Sequence, residues 1–187
     1  IQNATLRDNI IFGGEFDEVR YQQVLNACAL QADISALPGG DQTEIGERGI
    51  NLSGGQKARV SLGRACYANK DIVILDDILS AVDAHVARTI TDECLVNLLR
   101  NQGKTVVIAT HQTLCFPSAD KVVILKSGEI AYNGTFADGK TNDAFNDVLG
   151  TNDDLRAASN TATTTTTTAK NDAEATSTND ITVSTTS

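Results

Sequence analysis

Methionine and tryptophan are absent from this 187-residue chain, and aromatic residues make up only 4% of it. A core must therefore be assembled from Val, Ile, Leu and Ala, which the 41% hydrophobic content allows. No stretch approaches the roughly 20 consecutive apolar residues of a membrane-spanning helix. Ile1-Gln2-Asn3 has neither the basic start nor the apolar run of a signal peptide. A basic surplus is lacking too. The formal net charge of −9 argues against a nucleic-acid surface, because phosphates are met by a basic stripe. The four cysteines, Cys28, Cys66, Cys94 and Cys115, form no C-x-x-C pair, so their spacing suggests neither a zinc site nor a disulfide framework. Cys28 and Cys94 fall on apolar helical stripes, and buried, reduced thiols are expected. Without an initiating methionine, the chain is expected to be a piece of a longer one. Sequons at Asn3, Asn51 and Asn133 read as chance matches.

What is present divides near residue 150. Residues 151–187 number 37, of which 13 are threonine, and their only large apolar residues are Leu155, Ile181 and Val183. Such a segment buries too little surface to offset its ordering entropy, so a disordered linker is expected there. Residues 1–150 alternate helical and strand patterns. Asp17 is placed to cap a helix whose apolar face is Tyr21, Val24, Leu25 and Cys28. A second helix follows Ser53, with Ala58, Leu62, Ala65 and Cys66 on one face, and a third carries Val86, Ile90, Cys94 and Leu98. The run Ile72 to Leu75 reads as a strand buried on both faces. Thr105 to Ala109 and Lys121 to Leu125 are further strands, and Ser127-Gly128 turns the chain into Glu129 to Tyr132. Strand, helix, strand in this order implies a parallel α/β sheet.

Three places carry candidate chemistry. In Leu52-Ser53-Gly54-Gly55-Gln56, a serine and two glycines open a helix. Glycines let backbone approach a ligand closely, and the free N–H groups at a helix start suit an anion. On physics alone an ordinary Ser-capped helix explains the segment equally well. Ile72-Val73-Ile74-Leu75-Asp76 is an apolar strand ending in a carboxylate, at the sheet edge where α/β proteins bind ligands. A carboxylate there suits a hydrated Mg²⁺. Asp77 follows, then Ser80-Ala81-Val82-Asp83. A further strand ends in Thr110-His111, on the same edge as the acidic pair.

Together these segments resemble the nucleotide-binding domain of ATP-binding-cassette (ABC) proteins. Leu52 to Gln56 is similar to the ABC signature, Ile72 to Asp76 to the Walker B strand, Ser80 to Asp83 to the D-loop, and His111 to the switch histidine. The opening Ile1 to Gly13, the stretch Thr43 to Asn51 and the run Asp76 to Asp83 narrow the resemblance to the first such domain of subfamily C exporters, the multidrug-resistance-associated type. The resemblance covers residues 1 to about 150. It implies an incomplete α/β fold of the P-loop NTPase kind, a parallel sheet with a helical signature subdomain. It also implies a partner, because two such domains sandwich two ATP molecules. Leu52, Ser53, Gly54, Gly55 and Gln56 would act in trans on a nucleotide held by the second domain, and Ser80 and Asp83 of the D-loop would also be nucleotide-binding residues. Asp76 would position Mg²⁺, and Asp77 and His111 would serve catalysis, in the cis site. The second nucleotide-binding domain and the transmembrane domains of the same transporter are the implied partners. The expected location is the cytoplasmic face of a membrane, out of contact with the transported substrate.

Asp77 departs from the general ABC pattern, which has Glu as the base. Asp is shorter by one C–C bond, about 1.5 Å, so the chain's own site is expected to turn over slowly. The resemblance also implies a Walker A loop and a Gln loop before the signature, and neither pattern occurs there. Gly134-Thr135-Phe136-Ala137-Asp138-Gly139-Lys140-Thr141 fits Walker A letter for letter. It is expected to be a decoy: Asp138 would put negative charge among phosphates, the strand before it looks like a hairpin arm, and it follows the histidine. An ABC-type channel or receptor with a regulatory ATP-binding domain, and an inactive truncated product, remain alternative readings.

Overall fold

In a computed structural model, the described residues are 1–47 and 49–150, together with the backbone of 181–186. The first half is mainly helical. Ala4–Thr5 (β1) pairs antiparallel with Glu44–Ile45 (β2). Around this ribbon lie Leu6–Ile11 (α1), Glu18–Ala27 (α2), Gln31–Ala36 (α3) and Gly54–Tyr67 (α4). Polar caps start three of these helices. Thr5, Asp17 and Ser53 each accept a hydrogen bond from the backbone N–H three residues on, which satisfies a donor the helix cannot. The opening segment is tied to α4 through buried Asn9. The Arg64 guanidinium donates to the Asn9 carbonyl at 2.7 Å and to its side-chain oxygen at 2.9 Å. Asn9 in turn donates to the carbonyls of Gln2 and Thr5.

The second half supplies a five-stranded sheet. Ile72–Asp76 (β3) leads through the helix Ala84–Thr89 (α5) and a π-wound continuation, Ile90–Leu99, into Thr105–Ala109 (β4). β3 and β4 are parallel, as a helical crossover requires, with Ile72 opposite Thr105 and Asp76 opposite Ala109. Lys121–Lys126 (β5) and Glu129–Gly134 (β6) form an antiparallel hairpin. Its two turn residues, Ser127 and Gly128, both have positive φ, the geometry that matches strand twist in a two-residue turn. Two short helices, Phe136–Gly139 (α6) and Asp143–Gly150 (α7), follow. Phe145 of α7 is fully buried beside Phe116, Tyr132 and Phe136.

One expectation is corrected. β3 is not buried on both faces. Its side chains alternate, with Val73 and Leu75 inside and Ile72 and Ile74 exposed at 63% and 76%. One face packs inward and the other lies open. The expected linker, residues 151–187, is described only in part. Residues 151–180 and Ser187 lie outside the described residues, but Ile181–Thr186 form a strand (β7) in the sheet order β3-β4-β7-β5-β6. β7 runs parallel to both neighbours, with Val106 opposite Ile181 and Lys121 opposite Thr182. Reading threonine only as polar hid this, because threonine is β-branched and suits a strand. The flanking backbones of β4 and β5 also need hydrogen-bond partners.

Candidate functional site

The signature segment is a capped helix start. Ser53 is extended, at φ −61° and ψ 164°, while Gly54 begins α4. The Ser53 hydroxyl oxygen accepts from the Gln56 backbone N–H at 3.3 Å, and the Gln56 side-chain oxygen accepts from the Ser53 N–H at 2.9 Å. This reciprocal box fixes the entry of α4 and leaves the Gly54 and Gly55 N–H groups without helical partners. Leu52 is buried and anchors the approach, whereas Ser53 and Gly54 are exposed.

The side chain of Gln56 is committed within its own chain. Its amide donates to Asp33 at 3.0 Å, and the Arg59 guanidinium meets the other Asp33 oxygen at 2.7 Å. Arg59 and Asp33 are 13% and 14% exposed. Asp33 therefore braces the signature from α3, a role that no local pattern in the sequence indicates. Gly55 has a second constraint. A Cβ there would lie 2.6 Å from the carbonyl oxygen of Ala81, so the D-loop backbone packs directly on the signature helix. At Gly54 a Cβ would meet nothing within 4 Å.

At the C-terminal ends of β3 and β4, the parallel register brings the acidic pair and the histidine to one edge. Asp76 is the last residue of β3, opposite Ala109. Its side chain is exposed, and among the described residues it is paired with no protein group. Asp77 adopts a left-handed backbone at φ 46°, where Asp is one of the more tolerant residues, and its N–H donates to the Ala109 carbonyl at 2.7 Å. The Asp77 Oδ1 lies 3.0 Å from His111 Nδ1. That oxygen is sealed from solvent yet has no aligned hydrogen bond, so the two groups are close without being locked together.

Ser80 and Asp83 have local duties. The Ser80 hydroxyl donates to the Asp77 carbonyl at 2.8 Å. Asp83 caps α5, accepting from the N–H groups of His85 and Val86 at 3.0 Å each. The Val86 N–H foremost, and that of His85, hold its carboxyl below the usual carboxylate range. A cavity of about 540 Å³ flanks α4, lined by Gly46, Glu47, Asn51, Lys57 and Ser61 among others.

The Walker A look-alike folds differently. Thr135 caps α6 by accepting from the Asp138 N–H, and its hydroxyl donates to the Asp138 carboxylate. Lys140 lies over the Phe136 ring, 5.2 Å from its centroid. The preceding strand, β6, is the antiparallel edge of the sheet.

The ABC transporter family profile matches residues 1–80, which include the signature and the Walker B strand. The chain is 56% identical over 136 residues to ABC transporter C family member 12 of Dictyostelium discoideum, covering 73% of this chain and 10% of that protein. It is 55% identical over 137 residues to human ATP-binding cassette sub-family C member 2, covering 73% of this chain and 9% of the relative. The chain belongs to the nucleotide-binding domains of ABC subfamily C. Identity to Multidrug resistance protein mrp-7 of Caenorhabditis elegans is 59% over 138 residues, covering 73% of this chain and 9% of that one. The chain thus spans about a tenth of the length of these subfamily C relatives. Among the described residues, no helix is long and apolar enough to cross a membrane.

Proposed function

We propose that residues 1–150 are the signature-to-switch portion of the first nucleotide-binding domain of a subfamily C exporter, working with ATP and Mg²⁺ on the cytoplasmic face of a membrane. The observation that carries this reading is the shared edge of β3 and β4, where Asp76, Asp77 and His111 stand together. The donor set suits the group it would hold. Mg²⁺ takes oxygen ligands and is commonly bound through one or two carboxylates, and the Asp76 carboxylate is exposed with no protein partner among the described residues. Bound there, Mg²⁺ would neutralise charge developing on the phosphate oxygens. Asp77 would accept a hydrogen bond from the attacking water, and His111 would donate one to a phosphate oxygen.

The signature would act on a nucleotide held by the second nucleotide-binding domain. Its free donors are the Gly54 and Gly55 N–H groups and the Ser53 hydroxyl proton, aimed out of an exposed helix start. Gln56 would join them only by leaving Asp33. The open, apolar sheet face at Ile72 and Ile74 supports a module that works packed against further protein.

The site is proposed to be slow because Asp77 stands where the family places Glu. In the full-length protein, Asp77→Glu is expected to raise ATP turnover at this site about 10-fold or more, out of the ~10²–10⁴ a general base contributes. Unchanged turnover in a folded variant would overturn the geometric account. A regulatory domain of an ABC-type channel or receptor is the second reading, favoured by the same Asp77. Stimulation of ATP turnover by transported substrate decides for the exporter.

A further inference from the structure

Cys28, Cys66 and Cys94 are 38 and 28 residues apart in sequence, yet the fold brings their sulfurs together. Cys28 ends α2, Cys66 lies near the end of α4, and Cys94 sits in the π-wound run. Each is fully buried. The Cys66 and Cys94 sulfurs are 3.3 Å apart, and all three lie within 4.8 Å of one another. A central atom with metal–sulfur bonds of about 2.3 Å in planar three-coordination needs sulfur–sulfur edges near 4.0 Å, and a pyramid needs somewhat less. The Cys66–Cys94 edge already has the length a pyramid needs, and the third sulfur lies within 4.8 Å of both.

Charge and ligand number decide what fits. Zinc in a structural site takes four ligands, and no fourth histidine, cysteine or carboxylate joins this group among the described residues. Three thiolates around Zn²⁺ would bury one net negative charge, and around Cu⁺ two. Uncompensated charge in an apolar interior is strongly disfavoured. The Arg20 guanidinium, a cation that acts on Cys66, is already donating to the carbonyls of Cys66 and Tyr67. A trivalent metalloid bound by three thiolates is neutral, and its lone pair stands where a fourth ligand would be.

We propose that Cys28, Cys66 and Cys94 form a binding site for trivalent arsenic or antimony as the oxyacid. Three arsenic–oxygen bonds break and three arsenic–sulfur bonds form. Each thiol proton leaves with a hydroxide as water, and arsenic stays trivalent throughout, so no oxidant or reductant is consumed. The bound ion would staple α4, the helix that begins at the signature, to α2 and the π-wound run. The site stands on the three thiols alone and is independent of the assignment of the nucleotide edge.

The test uses the full chain, reduced with a phosphine and free of added thiol, exposed to equimolar arsenite and desalted. One arsenic retained per chain, with X-ray absorption showing three sulfur neighbours and no oxygen, is the expected result. Cys94→Ala and Cys28→Ala, checked for folding by circular dichroism, should weaken retention by more than the ~10–100-fold that losing a mere outer-shell partner costs. Cys115→Ala should leave it unchanged, since that thiol is buried elsewhere and pushed up to about 12 by its burial. No retained arsenic, two sulfurs with an oxygen, retention that survives loss of Cys94, or zinc held in preference under the same conditions would each overturn the proposal. Should the alanine variants fail to fold, the sulfur count of the unmodified chain decides alone.

Discussion

Replacing Gly55 with alanine tests whether the D-loop truly rests on the signature helix. The added Cβ would sit 2.6 Å from the Ala81 carbonyl oxygen, about 0.8 Å inside the 3.4 Å at which ordinary contact begins. The obstacle is backbone, so relief requires the D-loop or the start of α4 to shift. Overpacking of this kind costs about 1–3 kcal/mol. Gly54→Ala is the matched control: the space is open, the backbone there is not left-handed, and the gain from a less flexible unfolded chain is about 0.4–1 kcal/mol. In a chain of this length 1 kcal/mol moves the melting midpoint by roughly 2–4 °C. Gly55→Ala should therefore melt about 2–12 °C below Gly54→Ala by circular dichroism. ATP turnover in the full-length protein gives the second readout. Gly54→Ala should lower turnover without lowering the melting midpoint, since its exposed backbone faces the place proposed for the nucleotide. Indistinguishable melting of the two variants would refute the close approach of Ala81 to Gly55.

Three further outcomes are expected. Asp33→Ala strips Gln56 and Arg59 of a shared, mostly buried carboxylate and should destabilise the chain by about 1.5–3 kcal/mol in urea unfolding, the range for hydrogen bonds to charged groups; a change below ~0.5 kcal/mol would show that the brace is idle. Removing residues 181–187 leaves β4 and β5 with unpaired edges, so a loss of at least ~2 kcal/mol, a few ladder bonds at ~0.5–1.5 each, should appear with self-association in light scattering; an unchanged, monomeric chain would mean that β7 adds nothing. Asp83 has a lowered carboxyl, so its capping contribution is present above the unfolded value near 3.9 and fades as pH falls through the lower folded one. Amide protection at His85 and Val86 should weaken on going from pH 5 to pH 3, after correction for intrinsic exchange, and equal protection would sink the cap.

The helices α2, α4 and α5 with its continuation, and the strands β3 to β6, were legible because each carried a signal of its own. Asp17 and Ser53 cap where their side chains predict, and Ser127-Gly128 turns where a left-handed pair belongs. The common edge of Asp76, Asp77 and His111 was legible as well, because two apolar strands joined by a helix must run parallel. What sequence missed was set by contacts between distant segments. Asp33 looks like any polar residue of a short helix until α3 docks beside α4. The cysteines share no spacing motif because they come from three helices. The open face of β3 was misread for a related reason: an unbroken apolar run reports that both faces of a strand favour burial, not that both are covered in this chain.

The contrast between two motifs shows what turns a pattern into a site. Gly134 to Thr141 has every letter of a phosphate loop, but its strand is antiparallel and lies at the far edge of the sheet from β3. Its lysine is spent on an aromatic ring and its acidic residue on a cap. Leu52 to Gln56 has fewer letters, and several of its atoms are also committed locally, the Ser53 oxygen to Gln56 and the Gln56 amide to Asp33. The difference lies in what those commitments leave. In the signature they immobilise a helix start whose Gly54 and Gly55 N–H groups still need an acceptor, and one of its glycines is open to solvent. In the look-alike they consume the charged side chain that would have met the phosphate. Rigid framing around unspent donors, rather than the letters themselves, makes the signature the better phosphate-facing candidate.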